Sequence, residues 1–362
     1  MSDAQDSGGR FSELDLAIVE ALQAAPRAPW SRVGSALGVD ATTVARRWDR
    51  MRAQGLAWVT AHTSAKSAAV AYVEVRCRPR ALDRIIAATA ELPWVFSVDE
   101  MTGDFDLFLS LAAPDLPTLG HVVHRDIGAL PGVLSTRTRL GVTLFSAGGD
   151  WRMRAMEPAA RARLPPASPL RPIVYSTRSQ ERSAEDWSLL RALGGDGRLG
   201  YTELGAATGM SEHTARRRVQ RMIRDQDISF RCDIAHPSAG FRAMVVYLAN
   251  VAHGNLRFTG NAVARMEQVR SCVSVSGPHN LLIIVWLHGL DGMAGFEAGL
   301  SERFPDLEIR DRAVALHSPK RMGRLLDEHG RAVRPVPVTL PPSRLAGAPA
   351  ARGAQSGAVR TR

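Results

Sequence analysis

Between Asp40 and Gly55 the apolar positions Val44, Trp48 and Met51 recur at i, i+4 and i+7, one stripe along one side of a helix. Asp40 is suited to cap its start, because a carboxylate accepts from the first free amides, and Gly55 to close its end in the left-handed conformation. The opposite face carries Thr42, Arg46, Asp49 and Arg50, flanked by Thr43 and Arg47. Two shorter helical patterns precede it. Leu14, Ile18, Ala21 and Leu22 mark one apolar face; Val33, Ala36 and Leu37 mark the other, and Gly38-Val39 turns into Asp40. Helix, short turn and capped helix predict a helix-turn-helix, a motif whose second helix enters the DNA major groove. Periodicity and capping give the helices, not yet the DNA.

The pattern occurs twice. A shift of 171 residues aligns Asp15 with Asp186, Leu22 with Leu193, Arg27 with Arg198, Trp30 with Tyr201, Gly38 with Gly209 and Asp40 with Ser211. The match runs on through Thr43/Thr214, Arg46/Arg217, Arg47/Arg218, Arg50/Arg221 and Met51/Met222. An ungapped match of this length is a duplication. A merely solvated face has little reason to keep its arginines in register.

From Ala68 the period changes. A strand ending at Cys77, a helix opened by Pro79, strands over 94–102 and 105–112 around Gly103-Asp104, a helix over 116–130 and a strand over 133–145 give the order βαββαβ. The second copy repeats it at 241–251, 261–266, 269–276, 281–288, 293–303 and 307–316, now in a register of 174. The predicted class is therefore α+β: a tandem duplication of a helix-turn-helix (winged-helix-like) headpiece and a ferredoxin-like βαββαβ sheet domain. The expected layout is a disordered lead at 1–10, headpiece one at 11–60, sheet domain one at 68–147 and a proline- and arginine-rich linker at 150–184. Headpiece two follows at 185–231, sheet domain two at 240–320 and a disordered basic tail at 331–362. Residues 61–67, small and polar, read as a short linker.

Composition adjusts this picture in few places. The net charge of +10 suggests an anionic partner, yet six arginines and no acid fall in 331–362, and the first headpiece, 14–58, is only +2. Local clustering carries more: Arg216, Arg217, Arg218, Arg221 and Arg224 stand against Glu212 alone within 212–224. Cys77, Cys232 and Cys272 lie far apart without metal-ligand spacing, so they read as buried thiols of a cytoplasmic protein. No apolar run reaches membrane-spanning length, and neither a metal nor a cofactor is expected. His121 and His124, at i and i+3, lack a third ligand nearby.

For the recognition helices the functional reading is base and phosphate contact by Thr42, Thr43, Arg46, Arg47 and Arg50, and by His213, Thr214, Arg217, Arg218 and Arg221 in the second copy. Arg47 and Arg218, at the edge of the apolar stripe, have an equal alternative: ion pairs with Asp15 and Asp186 on the first helix of each headpiece. Arg46, Arg50, Arg217 and Arg221 are preferred for DNA. Gly103, Asp104 and Asp106 read from the residues alone as a tight turn.

Leu14-Asp15, the run from Arg27 to Gly38, Arg47 with Arg50-Met51, Gly55-Leu56, Thr102-Gly103-Asp104-Phe105-Asp106 and Leu130-Pro131-Gly132-Val133 together resemble the Lrp/AsnC, or feast/famine, family. The resemblance spans nearly all of 11–320. It implies a transcription factor that binds double-stranded DNA, self-associates through its sheet domains and responds to an amino acid or related small metabolite. It also makes Gly103, Asp104 and Asp106 candidates for meeting such an effector. This chain departs by fusing two units, so the self-association could be within one chain, with further copies, or both, and by carrying Gly277-Pro278-His279-Asn280 at the second turn and Gln226-Asp227 for Gly55-Leu56. Two alternatives remain: an enzyme like the sirohaem decarboxylases, which resemble paired units of this kind, and a DNA-packaging protein of low specificity.

Overall fold

The computed structural model describes residues 11–64, 68–164, 172–175 and 182–345. The lead at 1–10 and the end of the tail, 346–362, lie outside them.

Headpiece one consists of α1 (Glu13–Ala24), α2 (Trp30–Leu37) and α3 (Ala41–Ala53). Ser12 and Asp15 close a capping box on α1, Gly38 ends α2 at φ +68°, and the Asp40 carboxylate accepts from the Thr42 amide to start α3. Val44, Trp48 and Met51 are buried, as the stripe requires. Headpiece two repeats the device in α7 (Ala184–Gly195), α8 (Tyr201–Thr208) and α9 (Glu212–Arg224), with Ser211 capping α9. Gly55 follows α3 at φ +67°; Gln226 takes φ +58° in the second copy, where a side chain costs about 1–2 kcal/mol.

Strand β1 (Ala57–Thr63) leaves the first headpiece and pairs antiparallel with β7 (Ile228–Ile234), from Ala57 opposite Ile234 to Thr63 opposite Ile228. Residues 61–63, expected in a linker, therefore belong to a ribbon between the headpieces, because the second copy supplies a partner for their backbone. Residues 65–67 are outside the described set.

Sheet domain one contains β2 (Ala69–Cys77), α4 (Leu82–Glu91), β3 (Val95–Met101), β4 (Leu107–Ala113), α5 (Leu116–His121) and β5 (Val133–Ser146). The predicted helix over 116–130 is α5 followed by a wide π turn over Val122–Ile127. Domain two contains β8 (Ala243–Val251), α10 (Leu256–Val263), β9 (Val269–Val275), β10 (Leu281–Leu287), α11 (Gly292–Arg303) and β11 (Leu307–Arg321). Here α10 starts five residues before the predicted 261.

Each sheet has the ferredoxin-like order, β3-β4-β2-β5 and β9-β10-β8-β11. The long last strand of each also pairs with the second strand of the other, β5 with β9 and β11 with β3. Eight strands thus close into a ring. Helical segments cover its outer faces, with Ile127 packed in the cluster of Val73, Val75 and Leu109 in one unit and Leu300 in that of Val245, Tyr247 and Ile283 in the other. Tyr72, Phe108, Val246, Leu248, Leu282 and Trp286 face inward into a core shared with the headpieces.

The expectation of a disordered tail from 331 fails as far as Leu345. Strands β12 (Arg324–Leu326) and β13 (Ala332–Pro335) form a hairpin on β11, and the chain then runs on across sheet domain one. The Ser343 hydroxyl donates to Asp115 (2.5 Å) and the Arg344 amide to Thr118 (2.9 Å). Backbone pairing and side-chain caps hold a segment whose composition offers little apolar surface. Parts of the linker are also held: Trp151, Met156 and Leu164 are buried, the Met156 amide donates to Glu20 at 2.6 Å, and the chain includes α6 (Pro158–Arg161) and β6 (Ile173–Val174), the latter on β5.

Candidate nucleic-acid interface

The apolar stripe fixes which way the recognition helices turn. With Trp48 against Trp30 (ring centroids 6.2 Å apart) and Met51 buried, Arg46 faces water and has no hydrogen-bonding or ionic partner among the described residues. Arg217 has the same situation on α9. The other arginines split off. Arg47 and Arg50 both reach back to Asp15, at 3.2 and 2.8 Å, and Arg218 and Arg221 to Asp186, at 2.9 and 2.5 Å. The ion-pair reading of Arg47 and Arg218 is therefore realised. It extends to Arg50 and Arg221, which the sequence placed toward DNA, since one turn along the helix brings the second arginine over the same carboxylate. Both keep nearly half their side chain in solvent.

The hydroxyls are partly engaged. Thr42 donates to the Asp40 carboxylate at 2.5 Å, and that bond with the Thr42 amide holds the Asp40 carboxyl below its usual range. Thr214 lies 2.9 Å from the Ser211 hydroxyl, Thr43 is half-buried and His213 is exposed. Arg216, which sequence reasoning left off the contact set, pairs with Glu212 at 2.7 Å and lies over the Tyr201 ring.

What the sequence missed is how the headpieces meet. Arg27 donates to the carbonyls of Gly197 (2.5 Å) and Leu199 (2.9 Å), and Arg198 donates to those of Pro26 (2.6 Å) and Ala28 (2.9 Å). Arg198 sits 3.7 Å above the Trp30 ring and Arg27 5.3 Å above Tyr201. The signal was present, because both copies keep arginine and an aromatic residue at these places. Its meaning needs the two copies side by side. Arg52 adds an ion pair to Asp196 at 2.7 Å.

At the first turn, Gly103 takes φ +100° and Asp104 is exposed with no partner among the described residues. Asp106 is not free: its carboxylate accepts from the Cys77 amide at 2.7 Å, ending β2. Asn280 makes the equivalent clamp on Val251 in the second copy, at 3.0 and 2.7 Å. Both turns lie on the seams of the ring. Thr102 exchanges backbone and hydroxyl bonds with Val314 (both 2.9 Å), as Ser276 does with Leu140 (both 2.9 Å). His121 and His124 do not converge on a third ligand: His121 meets Arg344, and His124 bonds the Gly120 carbonyl at 2.8 Å. Among the described residues no group of three or more potential ligands gathers at one point, and no helix is long and apolar enough to cross a membrane.

The chain is similar to known proteins over both headpieces and the first sheet domain. The model of the AsnC-type helix-turn-helix domain matches residues 11–52 and 185–223, and that of the Lrp/AsnC ligand binding domain matches 70–142. The proline dehydrogenase transcriptional activator of Rhodobacter capsulatus is 30% identical over 131 residues, 34% of this chain and 84% of that protein. An uncharacterized HTH-type transcriptional regulator of Pyrococcus abyssi is 25% identical over 135 residues, 36% of this chain and 85% of the relative. Among solved structures, the siroheme decarboxylase NirDL aligns over 86% of this chain and 93% of its own with a TM-score of 0.56 and 13% identity, a likeness of fold. Two matched headpieces, a matched sheet domain and a relative 30% identical over 84% of its length lead to one conclusion: the chain belongs to the Lrp/AsnC family, in a form with two fused units.

Proposed function

We propose that the protein is a transcriptional regulator that reads double-stranded DNA through α3 and α9 of one chain. The carrying observation is the pair Arg46 and Arg217: equivalent positions, both exposed, both unpartnered among the described residues, on helices tied together by the reciprocal arginine contacts. A free guanidinium can bond bidentately to guanine, whereas Arg47, Arg50, Arg218 and Arg221, already paired, suit phosphate contacts made with their solvent-facing parts, with Thr42, Thr43, His213 and Thr214 alongside. Arg46→Ala and Arg217→Ala are each expected to weaken specific binding by about 1–3 kcal/mol without changing thermal stability. Unchanged affinity of both variants in a gel-shift titration would sink this assignment.

The effector is assigned to the first turn, where Gly103 opens the backbone and Asp104 offers an unpaired carboxylate to an ammonium group. Because Asp106 holds the Cys77 amide, Asp104→Ala alone is the cleaner variant. Calorimetry against an amino-acid panel should lose its ligand with DNA binding intact; retained ligand affinity would move the site elsewhere.

An enzyme is the second reading, supported by the shared fold with siroheme decarboxylase NirDL. A perturbed absorbance spectrum of sirohaem on titration with the protein would favour it. A packaging protein would instead show a steep salt dependence with little sequence preference.

A further inference from the structure

We propose that a cavity walled by His236, Arg242 and His317 binds a small monocarboxylate, and that its occupancy is transmitted to α3. The cavity has a volume of about 70 Å³, several times the roughly 10–15 Å³ that one water needs on the same measure. It lies where four parts of the chain converge: the turn after β7 (His236, Pro237), the entry to β8 (Arg242, Met244), the middle of β11 (Ala315, His317) and the β12–β13 turn (Glu328, Gly330). Its β11 wall pairs with the end of β3, Ala315 opposite Met101, which leads into the Gly103 turn, but no lining residue belongs to that turn or its second-copy equivalent.

The donor set points to an anion. His236 is buried, and its Nδ1 lies 3.0 Å from an Arg321 guanidinium nitrogen. A guanidinium only donates, so Nδ1 accepts and the ring proton sits on Nε2. Among the described residues Nε2 has no partner. Burial and the neighbouring Arg321 and Arg270 keep the ring neutral, its pKa well below the usual histidine range. The tautomer is held further back, where Arg321 also donates to the Ser318 hydroxyl (3.0 Å) and Ser318 to Asp99 (2.5 Å). The imidazole is stacked on Trp286 at 4.7 Å, with Arg270 over the same indole at 4.1 Å. Arg242 is exposed at the mouth without a described partner, so a carboxylate entering there meets its guanidinium and the Nε2–H together. Met244 and Ala315 leave room for a short apolar group, while the Glu328 carboxylate on the rim disfavours a dianion such as phosphate.

Two walls of the cavity are bonded to consecutive carbonyls just after α3. The Ala235 amide, next to His236, donates to Leu56 O, and the Ala332 amide, in the β12–β13 hairpin, donates to Gly55 O, both at 2.8 Å. A Cβ on Gly55 would lie 2.4 Å from the Ala332 carbonyl, so the fit is close. A ligand that draws the hairpin toward His236 therefore pulls on the end of α3. This coupling rests on the DNA-binding reading; the binding site does not.

The test titrates the full chain with sodium propionate, by calorimetry and by tryptophan fluorescence, to which Trp286 is one contributor, with propionamide and inorganic phosphate as controls. Saturable binding of propionate alone is expected, weakened roughly ten- to hundredfold in Arg242→Gln, an exposed substitution, and unchanged in Asp104→Ala. No saturable propionate binding, equal binding by Arg242→Gln, or preference for phosphate would overturn the site. Propionate at saturation should then shift DNA affinity in the parent chain and not in Arg242→Gln. Unshifted affinity in a chain that binds both ligands overturns the coupling. Failure to bind DNA at all counts against the regulator, while the propionate arm still decides the site.

Discussion

Asp15 has a side chain almost closed to solvent, and it accepts from the Ser12 amide (3.0 Å), the Ser12 hydroxyl (2.8 Å), Arg47 (3.2 Å) and Arg50 (2.8 Å). One carboxylate thus caps α1 and straps α3 to it. Asp15→Ala is expected to lower the stability of the first headpiece by about 1–3 kcal/mol, less than a fully buried pair because Arg50 stays half in water, as thermal unfolding would measure. A second single-residue effect concerns Lys320, which is fully buried with its ammonium 2.8 Å from the Leu92 carbonyl. Burial pushes its pKa from 10.5 down to about 7. Between those values the unfolded chain holds a proton that the folded chain has released, so this contribution to stability rises with pH, by about 1.4 kcal/mol per unit, and is absent below 7. Lys320→Met should flatten that rise in chemical denaturation measured from pH 7 to 10; an unaltered slope would show that the lysine is not the source.

If α3 and α9 read DNA as proposed, the crossed arginine contacts and the β1–β7 ribbon are the elements expected to fix their separation. Each arginine satisfies two carbonyls across the seam and covers an aromatic ring, and a guanidinium fork suits both tasks. Arg27→Ala/Arg198→Ala should loosen that separation. Affinity for the natural half-site spacing is expected to fall, and sites lengthened or shortened by one or two base pairs to be tolerated better, as a spacing series in gel shifts would reveal. Equal discrimination between spacings would assign the rigidity to the ribbon alone. These contacts show where sequence reading stops. Repetition marks Arg27 and Arg198 as worth keeping, but nothing in one copy's periodicity says that its partner is the other copy's loop. The same limit explains residues 61–63: a polar strand edge looks like a linker until another strand lies beside it.

At the scale of the whole molecule, the ring of eight strands makes one chain its own pseudo-dimer. Dimeric helix-turn-helix proteins place recognition helices about 34 Å apart on palindromic sites. Here a single chain is expected to cover both half-sites, the site being an imperfect palindrome because Thr42 faces His213 and Ala45 faces Arg216 in the alignment. Native mass measurement of the operator complex and footprinting check this; a requirement for two chains to protect one site would refute it. By itself the sequence determined the local order. Helix periods, caps, turns and the repeat are encoded within a few residues of one another, and so the two headpieces, the two βαββαβ domains and the exposed position of Arg46 and Arg217 could be read directly. Only the tertiary structure decided which arginines Asp15 and Asp186 claim, how β5 and β11 cross between sheets, why the chain from 331 to 345 is held, and where His236 meets Arg242. Those outcomes depend on groups far apart in the chain competing for the same carboxylate, strand edge or cavity, and no local pattern records who wins.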